Sequence, residues 1–166
     1  MARRSIEKAQ RYQRGYAVLL SQISHLVTLA QQDPNVAAIL LYGSLARLQP
    51  HLTSDVDLLV LCQEPQAFIR APESSGQGMY MMVETTSPDE EWPLSPLVTD
   101  LGASDLPVAL LNNIAQDGIL LYQREGTTLP HALAAPIPYE RWVARIEDLI
   151  TRWRKREEPR LVTPLA

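Results

Sequence analysis

The sequence predicts an α+β fold, a small β-sheet with helices on its flanks, and three observations predict it. Short apolar runs, Val36–Tyr42 and residues 58–62 first among them, are bounded by Gly, Ser, Asp and Pro and suit buried strands. Amphipathic stretches with three- and four-residue spacing stand at both ends of the chain. The 166 residues, 46% of them hydrophobic, are enough for a real core, since a chain of this size buries about two-thirds of its unfolded surface.

The first element is a helix over residues 6–32. Tyr12, Tyr16, Leu19, Ile23, Leu26 and Ala30 recur along one face, Ser5 is an N-cap of a favoured type, and Asp33-Pro34-Asn35 stops the helix. Gly15 weakens its first half. Val36–Tyr42 is then a buried strand, and Gly43-Ser44 breaks it where a helix can begin. A second strand, 58–62, follows Asp55-Val56-Asp57 without interruption. Residues 64–78 form a connection rich in loop signals, including Ser74-Ser75-Gly76. A strand over 79–86, a short helical start at 87–91 and a proline-broken stretch over 92–105 come next. A helix over 106–116 carries Pro107 in its first turn, Gly118 ends it, and a strand over 119–122 follows. The last element is a helix over 136–158 with the stripe Trp142, Ile146, Leu149 and Trp153. The expected organisation is an N-terminal helix (1–35) on a core (36–125), then a linker and C-terminal helix (126–166), in one domain without repeats.

Several function classes are excluded. No apolar stretch approaches the roughly 20 residues that span a bilayer, and Met1-Ala2-Arg3-Arg4 leads into polar residues rather than a signal-peptide core. A cytoplasmic protein without a membrane partner is expected. The single cysteine, Cys62, closes an apolar run and reads as a small buried hydrophobe. His25, His51 and His131 have no metal-ligand spacing, and there is no Gly-x-x-x-x-Gly-Lys-Ser/Thr phosphate loop. His51 is either a solvated loop residue or a nucleotide contact. Charge is segregated under a net value of -4: residues 1–14 hold five basic side chains and residues 140–160 hold seven, while the stretch between has only Arg47, Arg70 and Arg124. Either the basic helices neutralise an acidic body, or one of them faces an anion.

The most informative stretch is 43–57. On a strand, Asp55 and Asp57 project to the same face while Val56 and Leu58 point into the core. Two carboxylates on one face make a hard-oxygen site suited to Mg²⁺. Gly43 lets the backbone approach a ligand, and amides of a new helix together with the Ser44 hydroxyl can hold phosphate oxygens. Gly43-Ser44, ten intervening residues and Asp55-Val56-Asp57 resemble the signature of the DNA polymerase β-like nucleotidyltransferase superfamily, most closely its minimal nucleotidyltransferase branch. The segments 41–47 and 54–60 follow that branch almost position by position, and the resemblance is strong over 36–62 and extends to about residue 125. Leu48 departs from the pattern, which has glycine after the arginine.

The resemblance implies a small mixed β-sheet of the polymerase β-like fold and an enzyme that moves a nucleoside monophosphate, AMP from ATP, onto a hydroxyl of a protein or small molecule. Two Mg²⁺ ions would be held by Asp55 and Asp57, with the β- and γ-phosphates on Gly43 and Ser44. Arg47, one helical turn on, would neutralise them; its bland reading is a surface residue. A third carboxylate completes the metal site or acts as base in active members of the family. Glu84 on the 79–86 strand is the candidate for it, with Asp89 behind; in another alignment Met82 takes the place and no acid does. Two alternatives to the enzyme stand: an antitoxin-like partner of a HEPN-type toxin, which minimal nucleotidyltransferases often neutralise, and an impaired nucleotide-binding module. A homodimer is expected from the amphipathic surface of the two terminal helices.

Overall fold

Among the described residues, Val36–Tyr42 forms β1, the central strand of a five-stranded sheet with the order β3-β2-β1-β4-β5. The computed structural model describes residues 2–50, 54–69 and 92–161, and in it both faces of β1 are covered. A strand buried on both sides reads as one apolar run rather than as an alternation. β2 (Val56–Cys62) and β4 (Ile119–Gln123) flank β1 antiparallel. β3 (Leu94–Thr99) joins β2 in parallel at one edge, and the short β5 (Ile137–Pro138) joins β4 in parallel at the other. The sheet is therefore mixed, as expected. Parallel neighbours need a long connection, and residues 63–93 lie between β2 and β3 in the chain.

The described helices are α1 (Ala2–Gln32), α2 (Gly43–Ala46), α3 (Pro65–Ile69), α4 (Val108–Asp117) and α5 (Tyr139–Leu161). α1 and α5 pack against each other on one face of the sheet. There Tyr16, Leu19, Ile23, Leu26 and Ala30 meet Trp142 and Ile146 over Val56, Leu58, Val60 and Cys62, while Tyr12 and Trp153 close the seam with ring centroids 4.7 Å apart. On the other face, Ile114 of α4 and Leu133 cover Ala38, Leu40, Leu59 and Leu61. Among the described residues no helix is long and apolar enough to cross a membrane.

Element boundaries differ from the sequence reading in ways that have physical causes. β2 begins at Val56 rather than residue 58, because its pairing with β1 runs on to Asp57, opposite Tyr42. α1 starts at Ala2, upstream of the expected Ser5 cap. α4 starts at Val108 with Pro107 just outside it, and α5 runs from Tyr139 to Leu161. The main correction is β3, which lies within the stretch read as proline-broken. Pro96 is tolerated there because, among the described residues, β3 is an edge strand, and one side of its backbone has no strand neighbour to donate to. The strand expected over 79–86 and the helical start at 87–91 lie outside the described residues.

The approach to β3 is fastened to α1. Trp92 Nε1 donates to the Gly15 carbonyl at 2.9 Å, and both ends of the Gln22 amide engage the Trp92 backbone, at 2.9 and 3.1 Å. A Cβ on residue 15 would lie 3.2 Å from the indole Cζ2. The glycine that weakens α1 as an isolated helix is the seat of this indole.

Candidate functional site

β1 is followed at once by a glycine with left-handed backbone, the first residue of α2. Gly43 has φ +81°, and it lies so close to β2 that a Cβ there would run into the Asp57 carboxylate oxygen. Conformation and clearance both demand glycine. The chain then makes the single turn of α2, in which Arg47 N donates to Gly43 O at 3.1 Å and Gln49 N to Ser44 O at 2.9 Å. Leu48 closes the turn at φ +58°. The residue that departs from the family pattern thus adopts the conformation for which glycine is the easy choice. Trp142, buried on α5, donates its Nε1 to Ala46 O at 3.1 Å and so fixes α2 from below.

Two carboxylates meet this turn. Val56 points into the α1/α5 core, so Asp57, the next residue, points to the opposite face. Asp55 precedes the first residue of β2 rather than lying within it, which corrects the expectation of two aspartates on one strand. The pair remains electrostatically coupled. Burial first, then the charge of Asp55, push the Asp57 carboxyl above its ordinary value, and Arg47 pulls it partly back. The phenol of Tyr42 is raised as well, by burial and then by Asp57. The Ser44 hydroxyl lies 3.0 Å from the Ser54 hydroxyl, which links the turn to the residue before Asp55.

Arg47 has a partner that the sequence did not suggest. Its Nη1 sits 2.7 Å from Asp117 Oδ2 at the end of α4. The fold therefore brings together Gly43, Ser44, Arg47, Asp55 and Asp57, and adds Ser54 and Asp117. Ser54 was legible as a neighbour of Asp55. Nothing in the sequence ties Asp117 to an arginine seventy residues away. Glu84, Asp89 and His51 lie outside the described residues. On β3 the residue in register with Asp57 is Ser95, and the strand Leu-Ser-Pro-Leu-Val-Thr holds no acid.

Asp55 and Asp57 offer the hard oxygens that Mg²⁺ prefers, and their mutual repulsion is what a divalent cation would relieve. The pair fits such an ion. Among the described residues no group of three or more His, Cys, Asp or Glu side chains is placed to hold a metal. A cavity of about 230 Å³ between α4 and the turn His131–Leu133 is lined by Leu40, Ile114, His131 and Pro136 among others, and by none of these site residues.

A family model described as polymerase β nucleotidyltransferase matches residues 24–127, which run from the second half of α1 to just beyond β4. No curated protein matches the chain in sequence. Among solved structures, a mutant of the toxin–antitoxin pair MntA–HpeT is similar at 11% identity and a TM-score of 0.46, over 84% of this chain and 94% of that one. The complex of the tri-AMPylated Shewanella oneidensis HEPN toxin with MNT antitoxin is similar at 10% identity and TM-score 0.42, over 86% and 94%. A supposed nucleotidyltransferase from Sulfolobus solfataricus reaches 24% identity at TM-score 0.39, over 74% of this chain and 90% of its own. These superpositions are loose; it is the sequence match that carries the family.

Proposed function

The chain belongs to the polymerase β nucleotidyltransferase family, and from that premise we propose that it transfers AMP from ATP to a hydroxyl acceptor with Mg²⁺ as the metal. The observation that carries the site assignment is the packing of Gly43 on the Asp57 carboxylate, which sets a backbone turn, a hydroxyl and a guanidinium beside two coupled carboxylates. Asp55 and Asp57 would hold Mg²⁺, which when bound supplies positive charge to the triphosphate and to the departing pyrophosphate. The Gly43 and Ser44 amides and the Ser44 hydroxyl would orient the β- and γ-phosphates, and Arg47 would neutralise them. In the transfer the acceptor oxygen forms a bond to the α-phosphorus, the bond from that phosphorus to the bridging oxygen breaks, and pyrophosphate leaves with its electron pair. The hydroxyl proton goes to a base, a role assigned here to Glu84, which would also ligate a second Mg²⁺.

A second reading is favoured by one observation. The strand that pairs with β2 presents Ser95, not an acid, beside Asp57. If no other segment brings a carboxylate there, the protein binds Mg–ATP without transferring, and its role becomes that of a binding module or an antitoxin-like partner of a HEPN-type toxin. A homodimer is a separate proposal, resting on the amphipathic surface of the two terminal helices, and light scattering of the purified chain decides it.

The experiment separates these outcomes. Calorimetry with Mg²⁺ and a non-hydrolysable ATP analogue should show binding by the wild-type chain and none by Asp55→Asn/Asp57→Asn, with the double variant still folded. Undiminished affinity in the double variant would remove the site assignment. Glu84→Gln should keep binding and lower transfer of α-labelled AMP by about 10²- to 10⁴-fold, the contribution of a positioned base; wild-type binding without any transfer to protein or small-molecule acceptors selects the second reading.

A further inference from the structure

We propose that Asp117 is a positioning residue that holds Arg47 at the mouth of the aspartate pair, ready for the triphosphate; the inference rests on the nucleotide-binding reading above. Asp117 is poorly placed for a carboxylate on its own account. It is the last residue of α4, where the helix dipole disfavours negative charge, and the last turn of that helix has no basic residue to offset it. Its side chain is only 19% exposed, so it has also given up much of its hydration. Arg47 answers both penalties through one nitrogen, Nη1, at 2.7 Å. A guanidinium has five N–H donors in a fixed fork, so a single contact to Asp117 leaves the other edge for an anion.

The backbone makes this placement rigid. Gly118 N donates to Ile114 O at 2.7 Å as α4 ends, and the next residue, Ile119, pairs with Leu41 of β1. Leu41 is two residues before Gly43, so the strand that presents the glycine turn also sets the position of Asp117. Arg47 N donates to Gly43 O at 3.1 Å and Gly43 packs on the Asp57 carboxylate, so the arginine held by Asp117 stands one turn from the aspartate pair. Without Asp117, a side chain that is 45% exposed would be free to swing into solvent. An ornamental surface ion pair would contribute little, and would leave nucleotide affinity unchanged.

The test is Mg–ATP binding, by calorimetry, to the full chain as wild type, Asp117→Asn, Asp117→Glu, Arg47→Ala and Asp117→Asn/Arg47→Ala, with melting temperatures measured alongside. Asp117→Asn should weaken binding about three- to tenfold, the scale of one partly exposed charge-assisted contact, Asp117→Glu should recover part of the loss, and the double variant should bind no worse than Arg47→Ala. In NMR, the Arg47 Nε–H should lose order in Asp117→Asn even without nucleotide. Unchanged or tighter binding by Asp117→Asn overturns the proposal, as do losses that simply add in the double variant. If Arg47→Ala binds like wild type while Asp55→Asn/Asp57→Asn does not, the role of Arg47 falls and this proposal with it, though the metal site stands. Failure of the wild type to bind Mg–ATP at all overturns the nucleotide reading instead.

Discussion

Leu48 shows most sharply what one residue in an awkward conformation means for this fold. Its φ of +58° falls where L-residues other than glycine, Asn and Asp rarely rest, and the cost of that conformation is about 1–2 kcal/mol. The sequence exposed the departure, since the family pattern has glycine here, yet it could not tell whether the turn had changed or the leucine had conformed. The leucine conformed, because the turn is held from three sides by Gly43 O, Ser44 O and Trp142. Leu48 also packs its side chain against the core, so Leu48→Gly alone would mix relief of strain with loss of packing. The pair Leu48→Gly and Leu48→Ala separates them: both lose the packing, and the glycine variant should be the more stable by about 1 kcal/mol, the reverse of the order in a helix interior. Urea unfolding of the two proteins measures this, and alanine equal to or better than glycine would mean that position 48 is not left-handed in solution. Gly43 sits at the same scale with a stricter demand, since there the clearance to Asp57 as well as φ excludes a side chain.

At the scale of elements, the C-terminal helix does more than cover the sheet. The stripe read from the sequence is half core and half seam: Trp142 and Ile146 are buried, Trp153 packs on the cluster from its margin, and Leu149 is half-buried. Trp142 is the member with a polar duty, since its Nε1 satisfies Ala46 O in the turn that carries the candidate phosphate contacts. Trp142→Phe keeps most of the apolar area but leaves that buried carbonyl unpaired, so it should cost about 1–3 kcal/mol and weaken Mg–ATP binding beyond what the stability loss explains. A variant with normal affinity and a lowered melting temperature would show that α2 holds its shape without α5. The hydrogen bond joins residues 96 positions apart. β3 makes the opposite case, an element that was present in the sequence but hidden by two prolines near it and by its weak alternation. Its strand conformation comes from the free edge of β2, and Trp92, docked on Gly15, delivers the chain to that edge.

For the whole molecule, the division of the sheet into two faces governs both stability and charge. The helices α1 and α5 pack on the face opposite Asp57, and among the described residues Arg47 is a cation whose charge reaches the aspartate pair. The α1/α5 face is also where neutral acids are trapped. Burial pushes the Tyr16 phenol from 10.0 to about 12, with Tyr12 adding to it, and burial pushes the Cys62 thiol from 9.0 to about 12, with Asp33 adding to it. Both groups keep their protons in the folded state at pH values where the unfolded chain has lost them, so the unfolded state binds fewer protons and stability falls as pH rises. Their contribution is whole below pH 9 and is lost between about pH 9 and pH 12. Urea midpoints across that range should decline, and Cys62→Ala should move the onset upward toward pH 10, the ordinary value of the remaining tyrosine. A flat profile to pH 12 would show that neither group is buried in solution. The sequence by itself determined the strands β1 and β4, the buried stripe of α1, the glycine-serine turn and the paired aspartates, because each is written in residues close together, in an apolar run, a helical period or a motif of fixed spacing. Only the tertiary structure decided that Leu48 is left-handed, that a proline-bearing segment is a strand, that Gly15 seats an indole and that Asp117 meets Arg47. Each of those depends on a surface, an edge or a charge supplied by a distant part of the chain, and no local pattern records what will arrive there.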